Sequence, residues 1–276
     1  SPILLTKTNY MDKDTKDEIK RLNPKNIIIS GGESSVSEKL VKDLKDSGIN
    51  IERLSGVDRY ATSVEIAKKV RSITGIKDKV TLVDGTNFPD VITISTYSSL
   101  KHATILLTEP DNLNNDLIKI IDDFQVKYIT IGGGYASVAE NIELNLKENY
   151  KVDRIGGKDR YETASLIAKE VRSLTGSKDD LILVDGTNFP DGITINSLAG
   201  KYNSPIHLTN PNRLNSITKK DILDFNIKNI LIGGGEASIS EDIERYLKIK
   251  NIKTKRISGK DRYKTAVKIS EKFTEK

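Results

Sequence analysis

Asp84 and Asp90 stand six residues apart in LVDGTNFPDVITIS (82–95), and Asp185 and Asp191 repeat the spacing in LVDGTNFPDGITIN (183–196). Paired carboxylates at a strand-to-helix corner could serve as general acid and base, or hold a divalent cation. A local role competes with that chemistry. A carboxylate just after a proline at a helix start is favoured by orphan N–H groups and the macrodipole, and we expect Asp90 and Asp191 to cap. Glycine-rich turns occur at ISGGESSVS (29–37), IGGGYASVA (131–139) and IGGGEASIS (232–240). Such a turn before a helix could hold a phosphate or a sugar hydroxyl. G-G-G-x-x-S is neither the G-x-G-x-x-G of dinucleotide sites nor a P-loop, which carries G-K-[ST]. The expectation is a tight turn, with Ser137 or Ser238 capping the next helix.

Other chemistries lack their residues. The 276-residue chain has no cysteine and two histidines, His102 and His207. Disulfides, thiolate metal sites and cysteine nucleophiles are therefore excluded. Neither histidine recurs at its place in another copy, so no Ser-His-Asp set can be assembled. No metal and no cofactor are expected. There is no apolar run of about eighteen residues for a transmembrane helix, and SPILLTKTNY shows neither a basic leader nor a cleavage site.

Alternating strands and helices must position these groups. Tyr60, Val64, Ala67 and Val70 recur at helical spacing after Asp58, a candidate N-cap. KVTLV (79–83) reads as a buried strand, PDVITISTYSSLKH (89–102) as a helix with proline in its first turn, and TILLT (104–108) as a strand. NNDLIKIIDDF (114–124), YITI (128–131), SVAENIELNLKE (137–148) and KVDRI (151–155) continue the alternation. This order predicts an α/β fold with a mostly parallel sheet covered on both faces. Ligands of such sheets bind outside the carboxyl ends of the strands. Asp84, Thr108, Gly132–Gly134 and Gly156 should gather there, as should Asp185, Thr209, Gly233–Gly235 and Gly259.

The unit is written more than twice. RLSGVDRYAT (53–62), RIGGKDRYET (154–163) and RISGKDRYKT (256–265) align, as do SPILLT (1–6), ATILLT (103–108) and SPIHLT (204–209). DGTNFPD appears only twice. We divide the chain into a partial repeat (1–52), two full repeats (53–153 and 154–255) and the first helix of a further repeat (256–276). A piece of a longer array is favoured over a ring closed by the last helix onto residues 1–52. Arg59, Arg160 and Arg262 could contact an anionic polymer; the expectation is an ion pair and a packing tyrosine locking one unit to the next. Residues 154–276 carry net charge +7, enough to attract a polyanion, although a solvated surface uses the same charges. Several weak copies serve binding through avidity better than they serve catalysis.

RxxGxDRYxT, DGTNFPD, PILLT and IGGGxASV, in this order and about 100 residues apart, resemble the cell-wall-binding repeat 2 family of Gram-positive bacteria. The resemblance covers essentially the whole chain. It implies tandem Rossmann- or toprim-like modules, usually three, packed about a pseudo-threefold axis. It also implies non-covalent anchoring of surface proteins to an anionic cell-wall polysaccharide, without catalysis. The family's Pro-Ile-Leu-Leu motif, tied to polymer binding, corresponds to Pro2, Ile3, Leu4 and Leu5, which match fully. It corresponds to Ile105, Leu106 and Leu107 after Thr104, and to Pro205, Ile206 and Leu208 around His207. The residues themselves read as a buried strand. We therefore expect them to support the site from below, while Asp84, Asn87, Asp185, Asn188, Arg59, Arg160 and Arg262 touch the polymer. The Glu and D-x-D metal ligands of catalytic toprim domains are not recognisable. The expected location is extracellular, at the cell wall or surface layer, with no nucleic-acid partner and no membrane insertion. The alternative is a surface-layer building block that contacts neighbouring proteins.

Overall fold

The computed structural model describes residues 1–275. Three parallel sheets follow one another. The first pairs β1 (Asn26–Ser30) with β2 (Asn50–Leu54), flanked by α1 (Lys13–Leu22) and α2 (Glu38–Asp46). The second holds β3 (Lys79–Asp84), β4 (Thr104–Thr108), β5 (Tyr128–Gly132) and β6 (Lys151–Ile155) in the order β4-β3-β5-β6. Its helices are α3 (Arg59–Thr74), α4 (Pro89–Leu100), α5 (Asn115–Asp123) and α6 (Glu140–Lys147). The third sheet repeats it with β7 (Asp180–Asp185), β8 (Ile206–Thr209), β9 (Asn229–Gly233) and β10 (Lys253–Ile257), ordered β10-β9-β7-β8. Its helices are α7 (Arg160–Thr175), α8 (Pro190–Tyr202), α9 (Ser216–Asp224) and α10 (Glu241–Ile249), and α11 (Arg262–Thr274) ends the chain. The α/β class with parallel sheets is as the alternation predicts.

Local signals place the elements. β3 and β7 lie between two strands, so Leu82, Val83, Leu183 and Val184 are all sealed from solvent, and a continuous apolar run is what such a strand needs. Asp58, Asp159 and Asp261 cap α3, α7 and α11 through the backbone N–H of Ala61, Glu162 and Lys264. One helical expectation shifts by a residue. Val70 is exposed, and Arg71 takes the inward position, donating to the Phe124 carbonyl and lying 4.1 Å from its ring centroid. An arginine can turn inward where a carbonyl and an aromatic face receive its head.

The units interlock through helices. α4 packs on α7 and α8, α8 packs on α11, and α11 packs on α1. Lys264 pairs with Asp14 at 2.9 Å, Arg21 donates to Thr274 at 2.9 Å, and Ser270 donates to Glu18. The two ends of the described chain are thus in contact.

Residues 1–6 depart from expectation, since they form no strand. The reason lies in the ladder. Their counterparts β4 and β8 are hydrogen-bonded to one strand each, β3 and β7, and these are the strands that end in DGTNFPD. Among the described residues the first sheet holds only β1 and β2, so SPILLT is in no ladder and one edge of β1 is unpaired. Ile28 is accordingly 47% exposed and Ile3 37%.

Candidate functional site at the strand ends

Parallel register brings the motif residues to one end of each sheet. Asp84 pairs with Thr108, Val83 with Gly132, and Gly132 with Ile155. Within each four-stranded sheet the strand order is second, first, third, fourth, so the direction of winding reverses between β3 and β5 and between β7 and β9, where a crevice for ligands is expected. The chain fills that place with its own side chains. Asp90 Oδ2 accepts a hydrogen bond from Ser137 Oγ at 2.7 Å, and Asp191 Oδ2 from Ser238 Oγ at 3.0 Å.

Two expectations are corrected by these bonds. Asp90 and Asp191 do not cap their helices, which start from Phe88 and Phe189 without a side-chain cap bond. Ser137 and Ser238 do not cap either; α6 and α10 begin after Ala139 and Ser240. The cause is the glycine turn between them. Gly133 has φ +113°, and a Cβ there would lie 2.5 Å from Asp90 Oδ2 and 2.8 Å from Ser137 Cβ. Only with glycine can aspartate and serine meet across it. Burial pushes the Asp90 carboxyl above the usual carboxylate range, opposed by the Ser137 hydrogen bond and reinforced by Asp84. Asp191 is raised for the same reason, opposed by Ser238 and Arg262. Gly133→Ala should cost about 2–3 kcal/mol from the forced left-handed backbone and the displaced aspartate. Gly235→Ala, with nothing within 4 Å of the added carbon, should stay within about 0.5 kcal/mol. Urea unfolding of the two variants beside the parent measures the difference.

The DGT corner is tied down as firmly. Asp84 Oδ1 accepts from the backbone N–H and the hydroxyl of Thr86, both at 2.7 Å, and Asp185 does the same with Thr187. Arg59 Nη1 donates to the Gly85 carbonyl at 2.7 Å and Arg160 Nη1 to the Gly186 carbonyl at 2.6 Å. The D-R-Y arginine therefore holds a carbonyl in its own sheet, where an ion pair to the next unit was expected. A planar fork suits a carbonyl that protrudes from a turn. Arg262, in the repeat without a DGTNFPD copy, makes no such bond among the described residues. The first arginine of the phrase is engaged too. Arg154 donates to the Gly133 carbonyl at 2.8 Å and pairs with Glu143 at 2.6 Å; Arg256 bonds Gly234 and Glu244 alike, and Arg53 bonds Gly31 and Glu38.

The remaining candidates divide by exposure. Asn87, Asn188, Arg59 and Arg262 are exposed, and Arg160 is half-buried. Asp84 and Asp185 are buried, as are Leu106, Pro205, Ile206 and Leu208. Ile105 and Leu107 are half-buried against Val83, Ile94 and Ile167. Pro2, Leu4 and Leu5 are half-buried, and Ile3 is exposed. His207 is sealed in β8 beside Asp221, with Nδ1 and Oδ2 3.7 Å apart. Sequence reading missed this pair, although position 221 is isoleucine (Ile120) in the preceding repeat. Among the described residues no group of three or more His, Asp or Glu could hold a metal ion.

The chain is similar to several bacterial proteins. It is 29% identical to N-acetylmuramoyl-L-alanine amidase LytC of Bacillus subtilis over 90% of this chain and 48% of that one. It is 32% identical to the Amidase enhancer of the same organism over 90% of this chain and 33% of that one. Among solved structures, Cwp6 from Clostridium difficile matches with TM-score 0.71 and 29% identity over 80% of this chain and 35% of that one. Cwp8 from Clostridium difficile matches with TM-score 0.69 and 25% identity over 99% and 43%. The chain spans less than half the length of each of these relatives. The model of cell wall binding domain 2 (CWB2) matches residues 53–143 and 154–244, two copies in the same frame as the parallel sheets. The chain belongs to the cell wall binding domain 2 family.

Proposed function

We propose that this chain anchors a surface protein non-covalently to the Gram-positive cell wall by holding an anionic wall polysaccharide, and that it carries out no catalysis. One observation carries the reading: two wall-binding repeats stand in one chain with their strand-end carboxylates and arginines bonded to the chain's own turns. Groups so occupied build modules and leave little for proton transfer. The net charge of +7 over residues 154–276 supports an anionic ligand. Relatives named as an amidase of N-acetylmuramoyl-L-alanine and its enhancer support a wall setting. Among the described residues no helix is long and apolar enough to cross a membrane. We assign polymer contact at the strand ends to the exposed Asn87, Asn188, Arg59 and Arg262, with Arg160 at the rim. Asp84 and Asp185 shape the turns, and the Pro-Ile-Leu-Leu positions of the second and third repeats support them from β4 and β8. The units are taken as 53–153 and 154–255, with 1–52 completed by 256–276.

Co-sedimentation with purified Gram-positive walls, before and after chemical removal of their anionic secondary polymers, tests the reading. Binding should be lost on stripping and weakened by salt. Undiminished binding to stripped walls would move the ligand to peptidoglycan. Failure to bind walls, with ordered assembly at rising concentration, would replace the anchor by a surface-layer building block.

A further inference from the structure

Tyr128 opens β5, and its in-register neighbours are Lys79 on β3 and Lys151 on β6. In-register residues of adjacent strands share a face, so two lysine positions flank one tyrosine. The other sheets do not repeat this triplet. In the third sheet the positions are Asp180, Asn229 and Lys253, and Asn229 Nδ2 donates to Asp180 Oδ1 at 2.9 Å. In the first sheet Asn26 pairs with Asn50. The cationic aromatic arrangement is therefore peculiar to the second repeat and is not required by the fold.

Beside Tyr128 opens a surface cleft of about 430 Å³, whose lining includes Lys127, Tyr128, Lys147, Glu148, Tyr150 and Lys151. Tyr128 is 42% exposed, and Lys151 Nζ stands 5.4 Å from its ring centroid. The Tyr150 hydroxyl donates to Asp122 and so fixes the second ring as a wall. Lys147 is held by Glu143 at 2.6 Å. Lys79, Lys127 and Lys151 form no ion pair among the described residues, and Asp153, two residues beyond Lys151 on the same face, sits beside Thr130. Unpaired ammonium groups on flexible stems bind phosphate or carboxylate as point charges. A half-exposed tyrosine adds an apolar face with a polar tip, on which a pyranose ring can lie. A few polar groups converging beside an aromatic wall are the usual make-up of a ligand site.

We propose that this cleft binds an anionic saccharide unit, one sugar ring on Tyr128 and its phosphate or carboxylate between Lys127 and Lys151. It lies at the amino ends of β5 and β6, opposite the DGTNFPD corners. The proposal rests on the reading of the chain as an anionic-polymer anchor and names a second place of contact on it.

The test uses the whole chain and the double variant Tyr128→Asn, Lys151→Asn, which installs the residues found at 26, 229 and 50. Calorimetric titration with glucose 1-phosphate, glucose and inorganic phosphate is run beside the wall co-sedimentation. The parent should bind glucose 1-phosphate more tightly than either half, and the variant should lose at least about tenfold in that affinity and several-fold in wall binding at an unchanged melting temperature. Glucose 1-phosphate binding that is absent in the parent, equalled by phosphate alone or unmoved in the variant overturns the cleft assignment. A parent that binds walls equally well with and without the two residues overturns the assignment and leaves the anchor reading intact. A parent that binds no wall polymer overturns the anchor reading itself.

Discussion

His207→Leu is expected to hold its stability in mild acid where the parent loses it. His207 is fully buried in β8, facing Asp221 at 3.7 Å, with Arg172 and Lys169 close by. Neither ring nitrogen has a hydrogen-bond partner among the described residues. Burial, then the charges of Arg172 and Lys169, push its pKa down to about 3, while an unfolded histidine titrates near 6.5. Between those values the unfolded chain takes up a proton that the folded chain refuses. Stability is thus complete above about pH 6.5 and falls as the pH drops toward 3, by about 2 kcal/mol at pH 5 and about 4 kcal/mol at pH 3. Leucine stands at the matching positions 4 and 106, and Leu106 is fully buried there, so the site can take it. Urea midpoints of parent and variant at pH 7 and pH 5 give the measurement. The drop between the two pH values should be about 2 kcal/mol smaller in the variant. Equal drops would mean that Asp221 accepts the proton's charge inside the fold and that burial is not the dominant influence on this ring.

That pair illustrates where reading from residues alone stops. The α/β alternation, the Asp58 and Asp159 caps, the proline-led α4 and α8 and the gathering of motif residues at strand ends follow from local pattern, and local pattern is enough for them. Asp90 and Ser137 are 47 residues apart in the chain, and each had a sound local role as a helix cap. A contact across a glycine turn with φ +113° outcompetes both roles, and nothing within either segment announces it. Residues 1–6 have the composition of β4, yet a strand is a relation to a neighbour, and theirs is not among the described residues. The Lys79–Tyr128–Lys151 triplet depends on register among three strands, which composition does not set. Arg71 in place of Val70 depends on the Phe124 carbonyl lying within reach. Each departure is tertiary, set by what another element does or does not bring within reach.

The open edge of β1 leads to the other large effect. A chain extended before Ser1 by a second copy of residues 77–102 is expected to melt about 5–10 °C higher, equivalent to roughly 2–4 kcal/mol. ATILLT (103–108) aligns with SPILLT (1–6), so the copy joins in the register of the second repeat. Its strand would stand between residues 3–6 and β1, as β3 stands between β4 and β5, and would cover Ile28 and Ile3. Its helix would meet α4 and α8, which already pack together with the Phe88 and Phe189 rings stacked 4.2 Å apart and Phe189 still 39% exposed. The new Asp-Gly turn would offer Arg262 the carbonyl that Gly85 and Gly186 offer Arg59 and Arg160. In the second sheet this segment buries Val80, Leu82, Val83, Ile92, Ile94 and Tyr97, and the copy would bury the same apolar side chains against residues 1–6 and β1. Calorimetric melting and amide exchange of β1 read the two consequences separately. A higher melting temperature with slowed exchange at Ile27–Ser30 means that the strand has entered the ladder. Unchanged exchange in β1 would mean that the added segment packs elsewhere, and that residues 1–6 avoid the strand for a reason other than the missing neighbour.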